Sequence, residues 1–161
     1  MNRRTLKQQQ RGVATVEFAI TATVFFMMLI VVVIGGHIYW THNALVEATR
    51  RGARYAANQL KPASEACINT STTVTPVKNM VLYNTPTPAW GSTPLVPGLQ
   101  ASNVTVCYSN DFGVATGTVS VKIENYTYNL VLPGISRTIT FPPYISTMQG
   151  ENAGYIPANI P

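Results

Sequence analysis

Charged residues are scarce in this chain, and acids above all. Lysine, arginine, aspartate and glutamate make up 11% of 161 residues, and Asp111 is the single aspartate. One aspartate precludes the paired-aspartate metal sites of many hydrolases. The two histidines, His37 and His42, are five residues apart and do not share a helix face as metal ligands would. We therefore predict no metal, no cofactor and no catalytic activity, and we interpret both histidines as interfacial polar residues.

Cysteine is almost as rare, and its spacing excludes a redox motif. Cys67 and Cys107 are too far apart for a C-x-x-C site. Both follow the long apolar run near the amino terminus, so in an exported domain one disulfide is the natural interpretation. Two unpaired buried thiols are the alternative. The tripeptide Asp-Phe-Gly at 111–113 lacks the glycine-rich and catalytic loops of a kinase and is interpreted as a turn.

The net charge of +5 comes from two basic groups. They are the leader residues Arg3, Arg4, Lys7 and Arg11, and the cluster Arg50, Arg51 and Arg54. Neither group is interleaved with aromatic residues, so base stacking is not indicated. We interpret the charge as a determinant of membrane topology and of helix surface, and predict no nucleic-acid partner.

An apolar run fills residues 13–36 and is long enough for a membrane anchor in a lipid bilayer. As a helix it would extend roughly 36 Å, against about 30 Å of hydrocarbon. A secretory signal peptide has a shorter apolar core followed by small residues, whereas Ile34 stands here where a small residue is needed. The basic leader places the amino terminus in the cytoplasm. The arginines at 50–54 argue against this orientation, but they lie more than ten residues beyond the run.

A lone acid, Glu17, lies near the start of this run. A carboxylate in hydrocarbon costs about 2–4 kcal/mol, so it indicates a functional site. Glu17 is the fifth residue after Gly12 in the pattern G-x-x-x-x-E-F. Cleavage after Gly12 would make Val13 the new amino terminus and would place the acid at the fifth mature position. The alternative is a hydrated Glu17 at the membrane interface.

Helical spacing continues beyond the apolar run. Small and apolar residues recur with this spacing at Leu45, Ala48, Gly52, Ala56 and Leu60. The pattern predicts one helix over residues 13–60, ended by Pro62, with a bend at Gly35 and Gly36. Small residues allow another backbone to approach closely. The stripe either packs on the chain's own domain or packs on neighbouring subunits, and both hold if different faces are used.

The rest of the chain predicts loops followed by strands. Residues 68–102 are rich in threonine and proline, and we expect a loop with one short strand at 77–83. Apolar residues then alternate with period two at 104–108 and 119–123, and again at 126–132 with the opposite parity. The change of parity predicts a bulge or tight turn near Glu124-Asn125. Pro133-Gly134 indicates another turn. Ile139 and Phe141 indicate a last strand.

These elements predict an α+β protein in which a long amino-terminal helix packs on a small antiparallel sheet. The predicted segments are a basic leader (1–12), a transmembrane helix (13–36), a helix extension (37–61) and a β-rich domain (62–161).

The leader and helix resemble a known pattern. A short basic leader, a glycine and then VATVEF running into the span resemble the class III prepilins of type IV pilus systems of the Flp or tight-adherence (Tad) kind. ALVEATRRGARYAA resembles the helix of TadE-like proteins, the minor pseudopilins of those systems. VSVKIENYTYNLVLPG and TITFPPYISTMQGE resemble, more loosely, the strand-rich end of that family.

The resemblance implies roles for particular residues. A membrane-embedded prepilin peptidase would cut between Gly12 and Val13. Glu17, followed by Phe18, would align a subunit with the free amine of its neighbour. Two departures argue against a major pilin: Val13 stands where classical type IV pilins favour a methylated aromatic residue, and Phe18 stands where the short Flp pilin has tyrosine. The folded domain of about 100 residues also indicates a minor, TadE-like component.

We therefore predict a single-pass inner-membrane protein with a periplasmic domain that takes part in Tad pilus assembly. Its expected partners are the peptidase, other pilins or pseudopilins and the inner-membrane assembly platform. The sequence leaves open whether it enters the fibre, caps it or primes assembly. The alternatives are a membrane-tethered periplasmic binding module and a type II secretion pseudopilin.

Overall fold

A computed structural model describes the backbone of residues 3–59, 67–68, 72–109, 117–132 and 135–149. The chain divides into two compact units, Met1–Thr41 and His42–Pro161. Their secondary structure is an α+β arrangement, as predicted. The helices are α1 (Arg3–Ala57) and α2 (Thr75–Tyr83), and the strands are β1 (Cys67–Ile68), β2 (Val104–Tyr108), β3 (Thr118–Ile123), β4 (Thr127–Leu132), β5 (Ile135–Thr140) and β6 (Tyr144–Gln149).

Helix α1 is continuous through Gly35 and Gly36, and it begins earlier and ends earlier than predicted. It includes most of the basic leader and stops at Ala57, where backbone N–H groups of Asn58 and Gln59 bond back to the last turn. The predicted terminator, Pro62, and Leu60 lie outside the described residues. The part of α1 from Gly12 is long and apolar enough to cross a membrane, with a mean hydropathy of 2.7 and no burial in its most apolar window. This fits a single-pass membrane protein.

The second unit is built on a four-stranded antiparallel sheet in the order β1-β2-β3-β6. Burial alternates along β2 and β3, as the period of two predicts. Their buried side chains are Val104, Val106, Tyr108, Val119, Val121 and Ile123. One face of this sheet therefore forms the core.

The expected strand at 77–83 is wrong, because these residues form α2. Val74, Val77 and Val81 are spaced by three and four residues and are all buried, which is a helical stripe. Pro76 lies in the first turn, where its missing N–H costs nothing. Asn84 ends the helix in a left-handed conformation with φ 58°, and its N–H bonds to the Met80 carbonyl. The segment 68–102 is therefore not a simple loop.

The carboxyl-terminal strands also differ from the single predicted sheet. Strands β4 and β5 form a separate two-stranded sheet whose register closes at Leu132 and Ile135. The predicted turn at Pro133-Gly134 lies outside the described residues. β3 ends at Ile123, and Asn125 takes φ 55° before β4, so a turn occupies the place where the parity changes.

The strand that the sequence predicts as the last one is β5, but another strand, β6, follows it. Ile139 lies on β5, and Phe141 follows that strand. β6 comes later and pairs with β3 from Ile123↔Tyr144 to Thr118↔Gln149. β6 has no clear signal in the sequence, because one of its residues is buried, two are half-buried and three are exposed.

Candidate processing and assembly site

Gly12 and Val13 lie on the exposed surface of α1. A Cβ atom built on Gly12 meets nothing within 4 Å, so glycine is not needed here for packing. Alanine is also favoured over glycine inside a helix, by about 1 kcal/mol. A requirement for glycine at this position would therefore come from an external partner and not from the fold.

Glu17 follows Val13 by one helical turn, so both residues lie on the same side of α1. Its side chain is exposed and has no ion pair among the residues that the structure describes. The Glu17 carbonyl accepts a hydrogen bond from the Thr21 hydroxyl at 2.9 Å, which keeps a polar group within the helix. Phe18 is 75% exposed. The arrangement presents one carboxylate on an otherwise apolar, unburied helix surface.

The cysteines lie on neighbouring strands of the second unit. Cys67 and Cys107 are partners in the register of β1 and β2, and a disulfide joins them. The bridge closes a loop between residues 40 positions apart. Because β1 has only two residues, the bridge is the strongest connection of β1 to the sheet.

The stripe of small residues on α1 is buried inside the second unit. Leu45, Ala48 and Ala56 have no exposed surface, and Gly52 is buried as well. A Cβ atom at Gly52 would overlap the Val81 Cγ2 atom of α2 and would lie 3.3 Å from Val121 Cγ1 of β3. Gly52 therefore marks the place where α1, α2 and the sheet approach one another.

We expect Gly52→Ala to destabilise the second unit by about 1–2 kcal/mol. Overpacking a core costs about 1–3 kcal/mol, and we expect the upper part of this range because the added Cβ atom overlaps Val81. The gain of about 1 kcal/mol in helix propensity offsets part of this cost. Val81 has no exposed surface, and its branched side chain is stiff at χ1, so it cannot swing aside easily. Urea unfolding of the full chain in detergent, followed by far-ultraviolet circular dichroism, measures the change.

Gly35→Ala is the matched control, because a Cβ atom at Gly35 meets nothing within 4 Å. It makes the same chemical change in the same helix and is expected to leave the midpoint unchanged or slightly raised. Equal midpoints for Gly52→Ala and Gly35→Ala would contradict the close approach.

The histidines differ from each other in their surroundings. His37 stacks on Trp40 with ring centroids 5.8 Å apart. His42 instead contacts Tyr144 of β6, with 2.7 Å between its Nδ1 atom and the tyrosine hydroxyl. His42 therefore also takes part in a tertiary contact, which the sequence does not predict. Burial raises the pKa of Tyr144, so its hydroxyl stays protonated to a higher pH than that of a free tyrosine.

Lys78 is a buried cation that the sequence does not predict. It lies on α2, and its ammonium group donates to the Ala101 carbonyl at 2.8 Å. Burial lowers the pKa of this amine. Within the described ranges, no group of three or more histidine, cysteine, aspartate or glutamate side chains has the geometry of a metal site.

Comparison with known proteins gives one finding. The family model described as TadE-like protein matches residues 12–54, so the resemblance inferred from the sequence is confirmed over this segment. The matched segment begins at Gly12 and contains Val13, Glu17, Phe18 and most of the buried stripe. No curated protein and no solved structure matches the chain.

The TadE-like family is associated with Tad pilus assembly and with interaction among Tad pilus components, and the match to it covers residues 12–54 of the 161. Proteins of this family are typically structural and not enzymatic.

Proposed function

We propose that this chain is a minor pilin or pseudopilin of a Tad pilus, made as a precursor and cut after Gly12 by a prepilin peptidase. The observation that carries the proposal is the position of Glu17. It is the only charged residue between Val13 and Gly36, it has no partner ion among the described residues, and it is the fifth residue after Gly12.

The energetics favour a partner for this acid that arises only after cleavage. A carboxylate within hydrocarbon costs about 2–4 kcal/mol. Cleavage creates an ammonium group on Val13, and opposite charges attract strongly where the dielectric constant is low. The amine of one subunit then meets Glu17 of the next, which also fixes the axial register between the two subunits.

In the proposed orientation, the amino terminus lies in the cytoplasm and the second unit lies in the periplasm. The basic leader supports this topology through the excess of positive charge on cytoplasmic flanks. The disulfide between Cys67 and Cys107 supports it independently, because such bonds persist in oxidising compartments. The peptidase, other pilins or pseudopilins and the inner-membrane assembly platform are then the partners of the protein.

The first test is the mass of the mature chain. Intact-mass spectrometry of the protein extracted from membranes is expected to show a chain that begins at Val13. A working protein that keeps its leader would overturn the proposal and would favour a membrane-tethered binding module instead.

The second test is Glu17→Gln, which removes the charge and keeps the shape. We expect normal membrane insertion, a mature chain that begins at Val13, and at least a tenfold loss of piliation. A hydrogen bond to a charged group contributes about 1.5–3 kcal/mol, and 1.4 kcal/mol is a factor of ten. Pilus subunits sheared from the cell surface are quantified by immunoblot.

Thr23→Ala is the control for Glu17→Gln. Thr23 lies in the same exposed part of α1, and its hydroxyl bonds only within the helix, to the Ala19 carbonyl at 2.8 Å. It is expected to support wild-type piliation. Normal piliation by Glu17→Gln as well would remove the alignment role.

A further inference from the structure

A second stripe runs along the carboxyl-terminal part of α1, on a different side from the buried small residues. Glu47, Arg51, Arg54 and Asn58 follow one another by four, three and four residues, so they share one helix face. Tyr55 lies beside them and is half-buried, as is Arg51, whereas the other three are exposed. This face of the second unit is polar, and the sequence suggests only a solvated helix surface.

The structure shows that the face borders two clefts. The larger cleft has a volume of about 350 Å³ and lies between this stripe and the end of α2, where Met80 and Asn84 line it. The smaller one has a volume of about 230 Å³ and lies between the last turn of α1 and the end of β6, at Met148 and Gln149. Arg54 and Asn58 line both clefts. We call the two clefts together the arginine groove.

The arginine groove carries positive charge that is not paired with an acid among the described residues. Arg51 and Arg54 have no ion pair and no hydrogen bond from their side chains within the part of the chain that the structure describes. The Nε atom of Arg51 is buried without a hydrogen-bond partner among the described residues, which is unfavourable. Lys122 pairs with Glu124 and Lys78 donates to a carbonyl oxygen, whereas the exposed Arg50 and Arg137, like the two groove arginines, have no ion pair among the described residues. What distinguishes Arg51 and Arg54 is that they line a cleft, where a carboxylate from another molecule would pair with their guanidinium groups.

The side chains that line the arginine groove indicate which kind of hydrogen-bond acceptor it binds. Guanidinium groups bind carboxylates through two parallel hydrogen bonds, and the binding is stronger than for neutral acceptors. Tyr55 and Met80 add apolar surface beside the two arginines. The groove therefore fits an acidic side chain with an apolar neighbour on the same peptide segment.

We propose that the arginine groove binds an acidic segment of another subunit of the pilus system, with its carboxylate on Arg51 and Arg54. This inference rests on the proposed function, because it assigns the partner to the same assembly. A protein partner is favoured over lipid headgroups, since Arg51 and Arg54 lie 15 and 18 residues beyond Gly36, the end of the apolar run, which is roughly 22–27 Å along a helix. Charge complementarity favours an acidic occupant, as Glu47 is the only acid among the described residues that line the groove.

Charge reversal tests the groove in cells. Arg54→Glu is expected to reduce piliation at least tenfold, while the chain still inserts, matures to Val13 and keeps its disulfide. Arg50→Glu is the matched control, because it makes the same charge change one turn away and Arg50 lines neither cleft. It is expected to change piliation by less than twofold.

Arg51→Gln provides a milder second variant if charge reversal at Arg54 lowers the amount of folded protein. It keeps a donor and removes the charge, and we again expect at least a tenfold loss of piliation. Equal piliation by wild type, Arg54→Glu and Arg51→Gln would overturn the inference. The proposed function would stand in that case if Glu17→Gln still abolished piliation.

Binding is tested directly with the full chain in nanodiscs of neutral lipid. The probe is the peptide acetyl-Leu-Glu-Ala-Leu-Glu-amide, and its glutamine counterpart is the control peptide. Nitrogen-15 spectra report the Nε–H groups of the arginines. We expect saturable shifts for Arg51 and Arg54 with the acidic peptide, at least fivefold larger than those of Arg50, and no shift with the control peptide.

Three results would contradict the assignment. Equal shifts of all three arginines would indicate diffuse attraction of anions, and equal shifts with the glutamine peptide would indicate apolar contact without charge recognition. Shifts that occur only when anionic lipid replaces neutral lipid would assign the arginines to headgroups and not to a protein partner.

Discussion

Replacing Gly12 by alanine is expected to leave nearly all of the protein as uncleaved precursor. Glycine allows a close approach to the chain, and a peptidase that cuts after residue 12 needs that approach at the bond it cleaves. Intact-mass spectrometry separates the two forms, because the precursor keeps the 12 residues of the leader. The expected change is from mainly mature to mainly precursor protein, and piliation should fall with it.

The open surroundings of Gly12 allow a block in cleavage to be attributed to the peptidase and not to misfolding. A Cβ atom at Gly12 meets nothing within 4 Å, and alanine strengthens a helix, so misfolding does not explain a block in cleavage. Gly35→Ala is the control, because it adds the same methyl group at an equally open site of α1 and should be cut like the wild type. A Gly12→Ala protein that begins at Val13 would show that the peptidase does not recognise this glycine.

Removing the disulfide is expected to cost about 4 kcal/mol of unfolding free energy. Closing a loop of this length restricts the unfolded chain by that amount in the loop-entropy account. Cys67 is exposed and Cys107 is half-buried, so the packing lost in a Cys67→Ser and Cys107→Ser double variant is small beside the entropic effect. Domains are stable by only about 5–15 kcal/mol, so the midpoint of urea unfolding should fall steeply.

Ser120→Ala is the control for the disulfide. Ser120 lies directly opposite Cys107 in the register of β2 and β3, and its replacement keeps the bridge. A surface change of this kind is expected to alter stability by about 0.5 kcal/mol or less. Treating the wild-type protein with a reductant should reproduce the loss seen in the double variant. A loss below about 1 kcal/mol would show that the bridge does not hold β1 in place.

The proposed processing segment, residues 12–17, is the part of this protein for which the sequence is most informative. Gly12, Val13 and Glu17 belong to one helix, and their relation is set by their spacing along the chain. Helix geometry converts that spacing directly into position, so no tertiary contact is needed to place Val13 and Glu17 one turn apart. The family match to residues 12–54 falls on this same segment.

The periodic strands were predictable for a related reason. In β2 and β3 every second side chain is buried, so the period of two is visible in the order of the residues. In β6 only Tyr144 is buried, and the strand forms because it pairs with β3 along its whole length. A strand that is stabilised mainly by backbone pairing has no clear alternation of apolar and polar side chains.

Helix α2 shows how composition can mislead. Thr75 and Pro76 indicate a loop when they are considered alone, yet proline is tolerated in the first turn of a helix. The decisive feature is the burial of Val77 and Val81 against the rest of the second unit, with Val81 beside Gly52. Only the folded chain shows which partner makes that short helix stable.

Spacing along one segment is sufficient to specify the apolar helix, the lone acid five residues after Gly12 and the alternating strands. Packing between distant segments is what brings Gly52 against α2 and β3, His42 against Tyr144, and Arg51 and Arg54 to the edge of an open cleft. Those relations join residues far apart in the chain. They follow from which surfaces pack together, and local periodicity holds no information about that choice.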